Sequence, residues 1–516
     1  MLLVMLLVVA PYAASNDDRR PNIVIVMLDD LGYSDLGFMG SEIETPNIDG
    51  LAGNGLAMTQ FYVHPRCSPT RAALLTGKFP HDVGMGFLTT PPGINAKPGP
   101  FQGYLDHDAV TLPEALGEAG YRTYMSGKWH LGEAPGNWPR EHGFDRYFGW
   151  ISGANSYYEM RADEPLPRTM AEEDERFTPP VDGFYMTEAF TDKALGYLRD
   201  HERDHADKPF FMYLAYTAPH WPLHAPELHV QKYLSLYRAG PHQIAARRAA
   251  RQQQLGIPGV PPEGAGDKWL DTDDWARRMA VYAAMVSIAD EGIGQVVDEL
   301  HRTGSFENTL ILVFSDNGAC GELVARRGLH SPGAITGKPG SYRAYGPDWA
   351  ATSNTPLRNV KGTTFEGGIR SALISHWPAG IAARGRLDQT SVASVMDLMP
   401  TLLSVAGAGA AGNGAMGNDI SVLFDGDQLS PSRPLIWEHV GWRGIREGNL
   451  KAVFDPATGA WSLFDLVEDP AEREDLAARR PRDLEDLRAQ VDQWIAARDL
   501  QDADPLRYYR ELLQGI

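Results

Sequence analysis

Two continuous apolar segments, each followed almost at once by acidic residues, are the sequence feature that most constrains the fold. Residues 22–28 and 309–314 read NIVIVML and TLILVF, without the alternation of apolar and polar residues that a half-exposed strand shows. Segments of this kind are typical of central parallel strands that are covered on both faces. Because helices must provide that cover, the two segments predict an α/β fold.

Oxygen-bearing side chains follow both predicted strands. Asp29 and Asp30 come directly after the first strand, and Asp316 and Asn317 follow the second. Open α/β sheets bind ligands at the carboxyl ends of their strands, and carboxylate and amide oxygens suit Ca²⁺ or Mg²⁺. Each pair alone is also compatible with a simple turn. The four residues together predict a cation site at one edge of the sheet.

The remaining patterns predict a large domain followed by a smaller one. Two further buried strands are predicted at residues 121–126 and 208–216, with helices between the strands. From about residue 408 the pattern changes to short strands at hairpin spacing and a final helix. The predicted fold is therefore α/β, with a large mixed, mostly parallel sheet flanked by helices. A smaller C-terminal α+β subdomain is expected to carry an antiparallel sheet.

Three polar or proline- and glycine-rich stretches are interpreted as insertions in the large domain, at about residues 150–180, 225–270 and 321–355. We interpret the second as an insertion or lid rather than a separate domain, and its basic run at 247–251 as a solvated face. The third is expected to be a loop that faces the substrate.

Cys67 lies in a recognisable motif. Cys67, Pro69 and Arg71 form a C-x-P-x-R pattern, which Leu-Thr-Gly follows at residues 75–77. A helix is predicted over residues 72–75, so Cys67 is expected at or near a helix N-terminus, where backbone N–H groups favour anionic oxygen. The alternative is a small buried cysteine beside a proline turn.

Several basic side chains follow predicted strands or turns. Lys128 and His130 alternate after one strand and would share a face if the strand geometry continues. His220 comes shortly after another strand, and Lys361 precedes a glycine-rich return to the sheet. Each of these residues alone is compatible with a surface or structural role, and for His224 we keep the structural interpretation.

Bulk properties exclude some classes of protein. The formal net charge of −20 argues against a general binder of nucleic acid, because the negative charges of the protein and the nucleic acid would repel each other. Two distant cysteines do not make a disulfide framework, and Cys320 is expected to be a buried free thiol near the site.

The apolar run at residues 1–10 and the small residues after it predict a signal peptide over 1–15 and an exported, periplasmic or secreted protein. A buried strand or helix is the alternative, and no other apolar run is long enough to cross a membrane.

These motifs, in this order, resemble the type I, formylglycine-dependent sulfatases of the alkaline phosphatase superfamily. The similarity is greatest to bacterial arylsulfatases, through Ala-Pro-His-Trp-Pro at residues 218–222 and Asn-Thr-Pro at 354–356, and it runs from about residue 21 into the C-terminal subdomain. The resemblance implies an alkaline phosphatase-like fold. It also implies a catalytic sulfatase domain over 16–407 and a C-terminal subdomain over 408–516.

The resemblance implies two sets of site residues, which share Cys67. The implied catalytic residues are Cys67, Arg71, Lys128, His130, His220, Asp316 and Lys361. The implied metal ligands are Asp29, Asp30, Cys67, Asp316 and Asn317, and the implied ion is Ca²⁺, with Mg²⁺ as the alternative. A formylglycine-generating maturation enzyme is the implied partner that converts Cys67.

A mechanism for sulfate monoester hydrolysis follows from the resemblance. One hydroxyl of the hydrated formylglycine attacks sulfur, with Asp316 as the base and His220 as the acid for the leaving oxygen. Arg71 holds the diol while two lysines and the metal neutralise the sulfuryl oxygens. His130 then acts on the second hydroxyl, so that sulfate leaves the sulfated enzyme and the aldehyde returns.

Several alternatives remain open from the sequence. Small aryl or alkyl sulfates are the favoured substrates, and a carbohydrate sulfatase or a phosphonate or phosphodiester hydrolase of the same superfamily are the alternatives. A non-catalytic binding protein on this scaffold is a further alternative. Specificity is expected in the loops at residues 85–108, 150–180, 225–270 and 321–355. The sequence predicts no oligomeric state.

Overall fold

The computed structural model describes residues 20–90, 98–160, 168–262, 273–324, 329–409, 414–429, 433–501 and 506. The predicted signal peptide over 1–15 lies outside the described residues. No helix in the described part of the chain is both long and apolar enough to cross a membrane.

One large mixed sheet forms the centre of the molecule. Its strands are β1 (Asn22–Asp29), β2 (Leu56–Tyr62), β3 (Arg122–Lys128), β4 (Arg146–Trp150), β5 (Met170–Glu172), β6 (Glu175–Arg176), β7 (Phe210–Pro219), β8 (Thr309–Ser315), β9 (Arg370–His376), β10 (Arg386–Asp388) and β11 (Ala393–Ser394). Their order is β10-β2-β9-β8-β1-β7-β3-β4-β5-β6, with β11 beside β2. The central strands β8, β1, β7, β3 and β4 are parallel, whereas β9 is antiparallel to both of its neighbours.

Helices cover both faces of this sheet. They are α1 (Pro46–Asn54), α2 (Cys67–Thr76), α3 (Leu112–Glu118), α4 (Met186–His205), α5 (Glu227–Tyr237), α6 (Pro241–Gln254), α7 (Asp273–Arg302), α8 (Pro347–Ser353), α9 (Glu366–Ile369) and α10 (Leu398–Val405), followed by α11 (Pro481–Ala496) in the C-terminal region. The predicted α/β architecture is confirmed.

Alternation along β1 divides the core into two layers. Val24, Val26 and Leu28 pack with side chains from α1, α4, α5 and α7. Ile23 and its alternate neighbours pack with side chains from α2, α3 and α10 on the other face. Because both faces are covered, the strand is apolar at every position from Ile23 to Leu28, and each of these side chains contributes about 1.5–3 kcal/mol through burial.

A separate antiparallel sheet follows near the C-terminus, as predicted. It consists of β12 (Leu435–His439), β13 (Trp442–Glu447), β14 (Leu450–Asp455) and β15 (Ala460–Asp465) in sequential order. Leu487 and Val491 of α11 pack against it. Ile420 and Phe424, in contrast, pack in the core of the large sheet. Both residues follow position 407/408, where the boundary between the two domains stays a prediction.

Buried charges join the two sheets. Lys451 on β14 contacts Glu366 at 2.8 Å and Glu472 at 2.8 Å, and all three side chains are fully buried. An unpaired buried charge is costly, so this cluster fixes the small sheet against the turn that precedes β9.

The stretch at 225–270, which we interpret as an insertion or lid, contributes apolar side chains to the core. Its described part contains α5 and α6, whose apolar side chains Val230, Tyr233 and Ile244 belong to the large core. The basic run at 247–251 is not wholly solvated, because Arg248 is fully buried. Its guanidinium contacts Asp35 at 2.5 Å and Glu42 at 2.7 Å. The local sequence pattern did not predict the burial of Arg248, because both of its acidic partners are distant in the sequence.

We predict that Arg248→Ala lowers the free energy of unfolding by about 3–5 kcal/mol, because it leaves the buried carboxylate of Asp35 without its cation. The matched control is Arg247→Ala, at an exposed position of the same helix, for which the change should stay within about 0.5 kcal/mol. Chemical denaturation measures both values. Equal, small effects would contradict the assigned role of Arg248.

Candidate active site

The parallel pairing of β1 with β8 brings the two oxygen-bearing pairs together. Leu28 pairs with Ser315, so the residues after each strand meet at one edge of the sheet. Asn317 Nδ2 donates to Asp30 Oδ1 at 2.7 Å, and the backbone N–H of Asp30 donates to Asp316 Oδ1 at 3.2 Å. These four acidic and amide side chains are buried, with relative exposures of 1% or less.

Helix α2 begins at Cys67, which lies beside this edge. The predicted helix over 72–75 is therefore longer, and every residue from Cys67 to Thr76 is buried. Thr70 fixes the turn before the helix, because its Oγ1 accepts a hydrogen bond from the backbone N–H of His64 at 2.9 Å. Cys67 is a free thiol, and its Sγ marks the position of the oxygens that a formylglycine hydrate would carry.

Lys361 approaches Cys67 from a tight turn. Its backbone N–H donates to Ala319 O at 3.0 Å, and its Nζ lies 3.2 Å from Cys67 Sγ. The turn packs closely on the end of β8, since a Cβ on Gly318 would lie 1.7 Å from Gly367 O. A glycine is required at 318 for this contact, which explains the Asn-Gly pair there.

Three cations pair with the three carboxylates of the site. Arg71 lies 2.7 Å from Asp316, Lys128 lies 2.5 Å from Asp29, and Lys361 contacts Asp30. Arg71 also donates to Lys128 O at 2.9 Å, which ties α2 to the end of β3. Opposite charges thus balance in a buried cluster around Cys67.

This environment shifts the pKa values of the acidic groups in different directions. Burial and the charge of Asp29 raise the pKa of Asp316 to about 6, although Arg71 opposes this. Burial also favours the neutral form of Asp30, but the charges of Lys361 and His220 and the hydrogen bonds it accepts hold its pKa below the ordinary value. Burial, followed by the charge of Asp29, raises the pKa of the Cys67 thiol to about 12.

His220 lies next to Asp30 because Pro219, the last residue of β7, pairs with Asp29. Its Nε2 is 3.5 Å from Asp30 Oδ2, and its Nδ1 is 2.5 Å from Trp221 O. A donating Nδ1–H leaves Nε2 directed at the carboxylate. Burial lowers the pKa of His220 to about 3, with Asp30 opposing the shift.

His130 reaches the site by a route that the sequence analysis did not predict. Strand β3 ends at Lys128, and His130 has a φ of 57°, so continued strand alternation does not place its side chain. Its ring packs closely on Gly153, where a Cβ would lie 2.9 Å from Nε2. Burial, then the charges of Lys128 and Arg71, lower the pKa of His130 well below its ordinary value.

His224 and Cys320 occupy the positions expected of them. His224 is fully buried and joins two loops, since its Nδ1 is 3.2 Å from the backbone N of Tyr157 and its Nε2 is 2.9 Å from Ser341 O. Cys320 is a buried free thiol, and both Asp30 and Lys361 contribute to its electrostatic environment.

The site fits a hard cation. Ligand atoms of Asp29, Asp30, Cys67 and His220 lie within 4.8 Å of one another. Asp29 Oδ1, Asp30 Oδ2 and Asn317 Oδ1 are buried and have no hydrogen-bond partner among the described residues. Buried oxygens without partners are costly, and oxygens of this kind are the ligands of Ca²⁺ and Mg²⁺. Asp316 is outside the 4.8 Å group, and its Oδ2 is bonded to Arg71.

Sequence analysis missed Tyr213, Arg66 and Glu322. Tyr213 on β7 lies 3.4 Å from Arg71 through its hydroxyl and supports the guanidinium. Arg66 precedes Cys67 and pairs with Glu322 at 2.6 Å. The adjacency of Arg66 to the cysteine motif was the one available signal, because its partner is 256 residues away.

Comparisons with known proteins identify the family of this chain. The family model described as Sulfatase matches residues 21–408, and the chain belongs to that family. An uncharacterised sulfatase of Schizosaccharomyces pombe is 35% identical, covering 93% of each chain, and an arylsulfatase of Klebsiella aerogenes is 33% identical, covering 78% of this chain and 90% of its own. A solved structure, Ps i-CgsB in complex with k-i-k-neocarrahexaose, has 27% identity and a TM-score of 0.72, covering 96% of this chain and 97% of its own. The protein is a sulfuric ester hydrolase with an alkaline phosphatase-like fold.

We predict that Ca²⁺ raises the melting temperature, in a way that depends on concentration, by binding to the unpartnered oxygens of Asp29, Asp30 and Asn317. The stabilisation should reach about 2.7 kcal/mol when free Ca²⁺ is roughly 100-fold above its Kd. Differential scanning calorimetry with and without chelator measures the shift.

Asp29→Asn should abolish or greatly weaken that shift. The matched control is Asp290→Asn, because Asp290 is an equally buried carboxylate that instead accepts backbone hydrogen bonds at the start of α1. This control should lower the melting temperature but keep its response to Ca²⁺. An unchanged response in Asp29→Asn would contradict the assigned ligand.

Proposed function

We propose that this protein hydrolyses sulfate monoesters to an alcohol or phenol and inorganic sulfate, using a formylglycine made from Cys67. The observation that carries the proposal is the buried, balanced charge cluster around Cys67, in which Arg71, Lys128 and Lys361 surround the side chain that would attack sulfur. A sulfate monoester brings one negative charge, which such a group of preorganised cations can stabilise without reorganisation.

The geminal diol of hydrated formylglycine supplies two hydroxyls. A different residue of the chain accepts the proton of each hydroxyl. Asp316 accepts the proton of the attacking hydroxyl while its contact with Arg71 holds the carboxylate in place. His130 accepts the proton of the second hydroxyl in the later step. That step breaks the bond between residue 67 and the sulfate oxygen and restores the aldehyde.

A Ca²⁺ ion, or Mg²⁺, held by Asp29, Asp30, residue 67, Asp316 and Asn317 would lower the pKa of the hydroxyl and neutralise charge on the sulfuryl group. The cationic side chains of the protein neutralise the remaining negative charge on the sulfuryl oxygens. Lys128 and Lys361 are each anchored by a carboxylate, so their ammonium groups have little freedom to move away from the sulfuryl oxygens.

His220 is the proposed acid for the leaving oxygen. Burial lowers the pKa of His220, and the negative charge of a substrate bound beside it would raise that pKa and favour the protonated form. The hydrogen bond from Nδ1–H to Trp221 O orients the ring and leaves Nε2 to carry that proton.

Maturation and export complete the proposal. We infer that a formylglycine-generating enzyme oxidises Cys67 before the site closes, because α2 is fully buried in the folded chain. We also infer that residues 1–15 direct export to the periplasm or the medium.

We predict that Cys67→Ser, made in a host that does not oxidise serine, accepts one sulfuryl group and then stalls. Serine offers one hydroxyl for attack but lacks the second one that expels sulfate. Intact-protein mass spectrometry should show one added sulfuryl group, and released sulfate should not exceed one equivalent per chain.

The control for this experiment is Cys320→Ser, which alters the other buried thiol and should keep steady turnover. Steady multiple turnover by Cys67→Ser would sink the aldehyde mechanism.

We predict that His220→Gln slows esters with poor leaving groups much more than esters with good ones. The protonation that His220 supplies matters most when the leaving oxygen is basic, and general acid catalysis contributes about 10²–10⁴-fold. The measurement is the slope of log kcat/KM against leaving-group pKa for a series of aryl sulfates. His201→Gln, at the opposite edge of the sheet beside Lys208, is the control and should keep the wild-type slope. An unchanged slope in His220→Gln would remove the residue from this role.

A further inference from the structure

An ion pair flanks the active site on its solvent side. Arg66 Nη1 lies 2.6 Å from Glu322 Oε1, and the side chains keep relative exposures of 23% and 39%. Cys67 and Lys361, directly beside them, have exposures of 2% and 8%. The pair is therefore more accessible to solvent than the nucleophile and the lysine that it adjoins.

Backbone geometry holds the pair against the catalytic turn. The Arg66 guanidinium packs over Gly362, where a Cβ would lie 3.8 Å from its Nε. The N–H of Gly362 donates to Pro65 O at 2.9 Å, which ties the cysteine loop to the Lys361 turn. The cysteine loop beside Arg66 is therefore tied to the turn that carries Lys361, and the ion pair with Glu322 holds the Arg66 side chain.

The pair retains unused hydrogen-bonding capacity. Among the described residues, Arg66 donates to Glu322 through Nη1 alone, and its side chain remains 23% exposed. A carboxylate has about four acceptor positions, and the hydrogen bond from Arg66 uses only Oε1 of Glu322. A donor and an acceptor thus lie side by side next to the position that the sulfate ester would occupy.

We propose that Arg66 and Glu322 form a polar subsite that selects a hydroxyl-bearing leaving group, so that sulfated sugars are the substrates rather than simple aryl sulfates. A sugar can accept from a free Nη N–H of Arg66 through a ring or hydroxyl oxygen and donate to Glu322 through a hydroxyl. A plain aromatic ring would desolvate the ion pair without replacing those hydrogen bonds, which is costly. This inference rests on the sulfatase function proposed above and replaces the aryl or alkyl preference of the sequence analysis.

Aromatic side chains near His220 do not decide between the two classes of substrate. The Trp221 and His220 ring centroids are 4.7 Å apart, and Tyr342 lies 6.0 Å from Trp221. An aromatic wall of this kind can pack against either an aryl group or the apolar face of a sugar. Discrimination must therefore come from the polar side of the site.

The test compares matured wild-type enzyme with Glu322→Gln, Arg66→Gln and the double variant. The substrates are para-nitrophenyl sulfate and a set of sulfated hexoses and hexosamines. The rate of sulfate release is measured for each substrate. Wild type should have its highest kcat/KM on a sugar sulfate. Each variant should lower the ratio of kcat/KM for that sugar to kcat/KM for the aryl ester by about 10- to 100-fold, mostly through KM, because charged hydrogen bonds are lost.

Glu299→Gln is the matched control, because Glu299 pairs with Arg199 and Arg302 at the end of α7 that lies at the opposite edge of the sheet. It should leave the ratio unchanged. An equal loss on both classes of substrate in the Arg66 and Glu322 variants would show a structural role and overturn the proposal. A wild type that prefers the aryl ester to every sugar would also overturn it while the sulfatase function stands. Silence on all sulfate esters, with formylglycine present, would instead overturn the proposed function and this inference with it.

Discussion

Three buried ion pairs at the carboxyl edge of the large sheet are the interaction on which the site depends. Asp29, Asp30 and Asp316 are almost completely buried, and a buried carboxylate is tolerated only with a cation or several donors nearby. Lys128, Lys361 and Arg71 supply those cations. They come from three separate parts of the chain, so the site forms only when β3, the turn before α9 and α2 have all reached their final positions. Stability and chemistry thus use the same contacts.

Local backbone features serve the same cluster. The close approach of Gly318 to Gly367 and the hydrogen bond from Gly362 to Pro65 bring the Lys361 turn against the cysteine loop. On the other side of the cluster, the pairing of Asp29 with Pro219 places His220 beside the buried carboxylates. The left-handed backbone at His130 orients the second histidine. The buried contact of Lys451 with Glu366 anchors the small sheet just after that turn. The subdomain therefore supports the site through its scaffold.

The sequence was sufficient for features that depend on local patterns. Apolar runs with acidic ends predicted β1 and β8, and parallel pairing then placed Asp30 near Asn317 without further information. Features that depend on distant partners were not predictable. Arg248 looked like part of a solvated basic run because Asp35 and Glu42, which neutralise it, lie some 200 residues earlier in the chain. Histidine adopts a positive φ more often than most residues, but the local pattern does not require it at His130. The Arg66–Glu322 pair joins two segments that are far apart in the sequence.

The central claim is that residue 67 acts as a formylglycine within this charge cluster. The most direct measurement prepares the protein with graded amounts of the maturation enzyme, determines by peptide mass spectrometry the fraction of chains in which Cys67 is converted, and measures sulfate release from the same samples. The account predicts that activity rises in proportion to the converted fraction and extrapolates to zero when none is converted. Activity that does not depend on the converted fraction would contradict it.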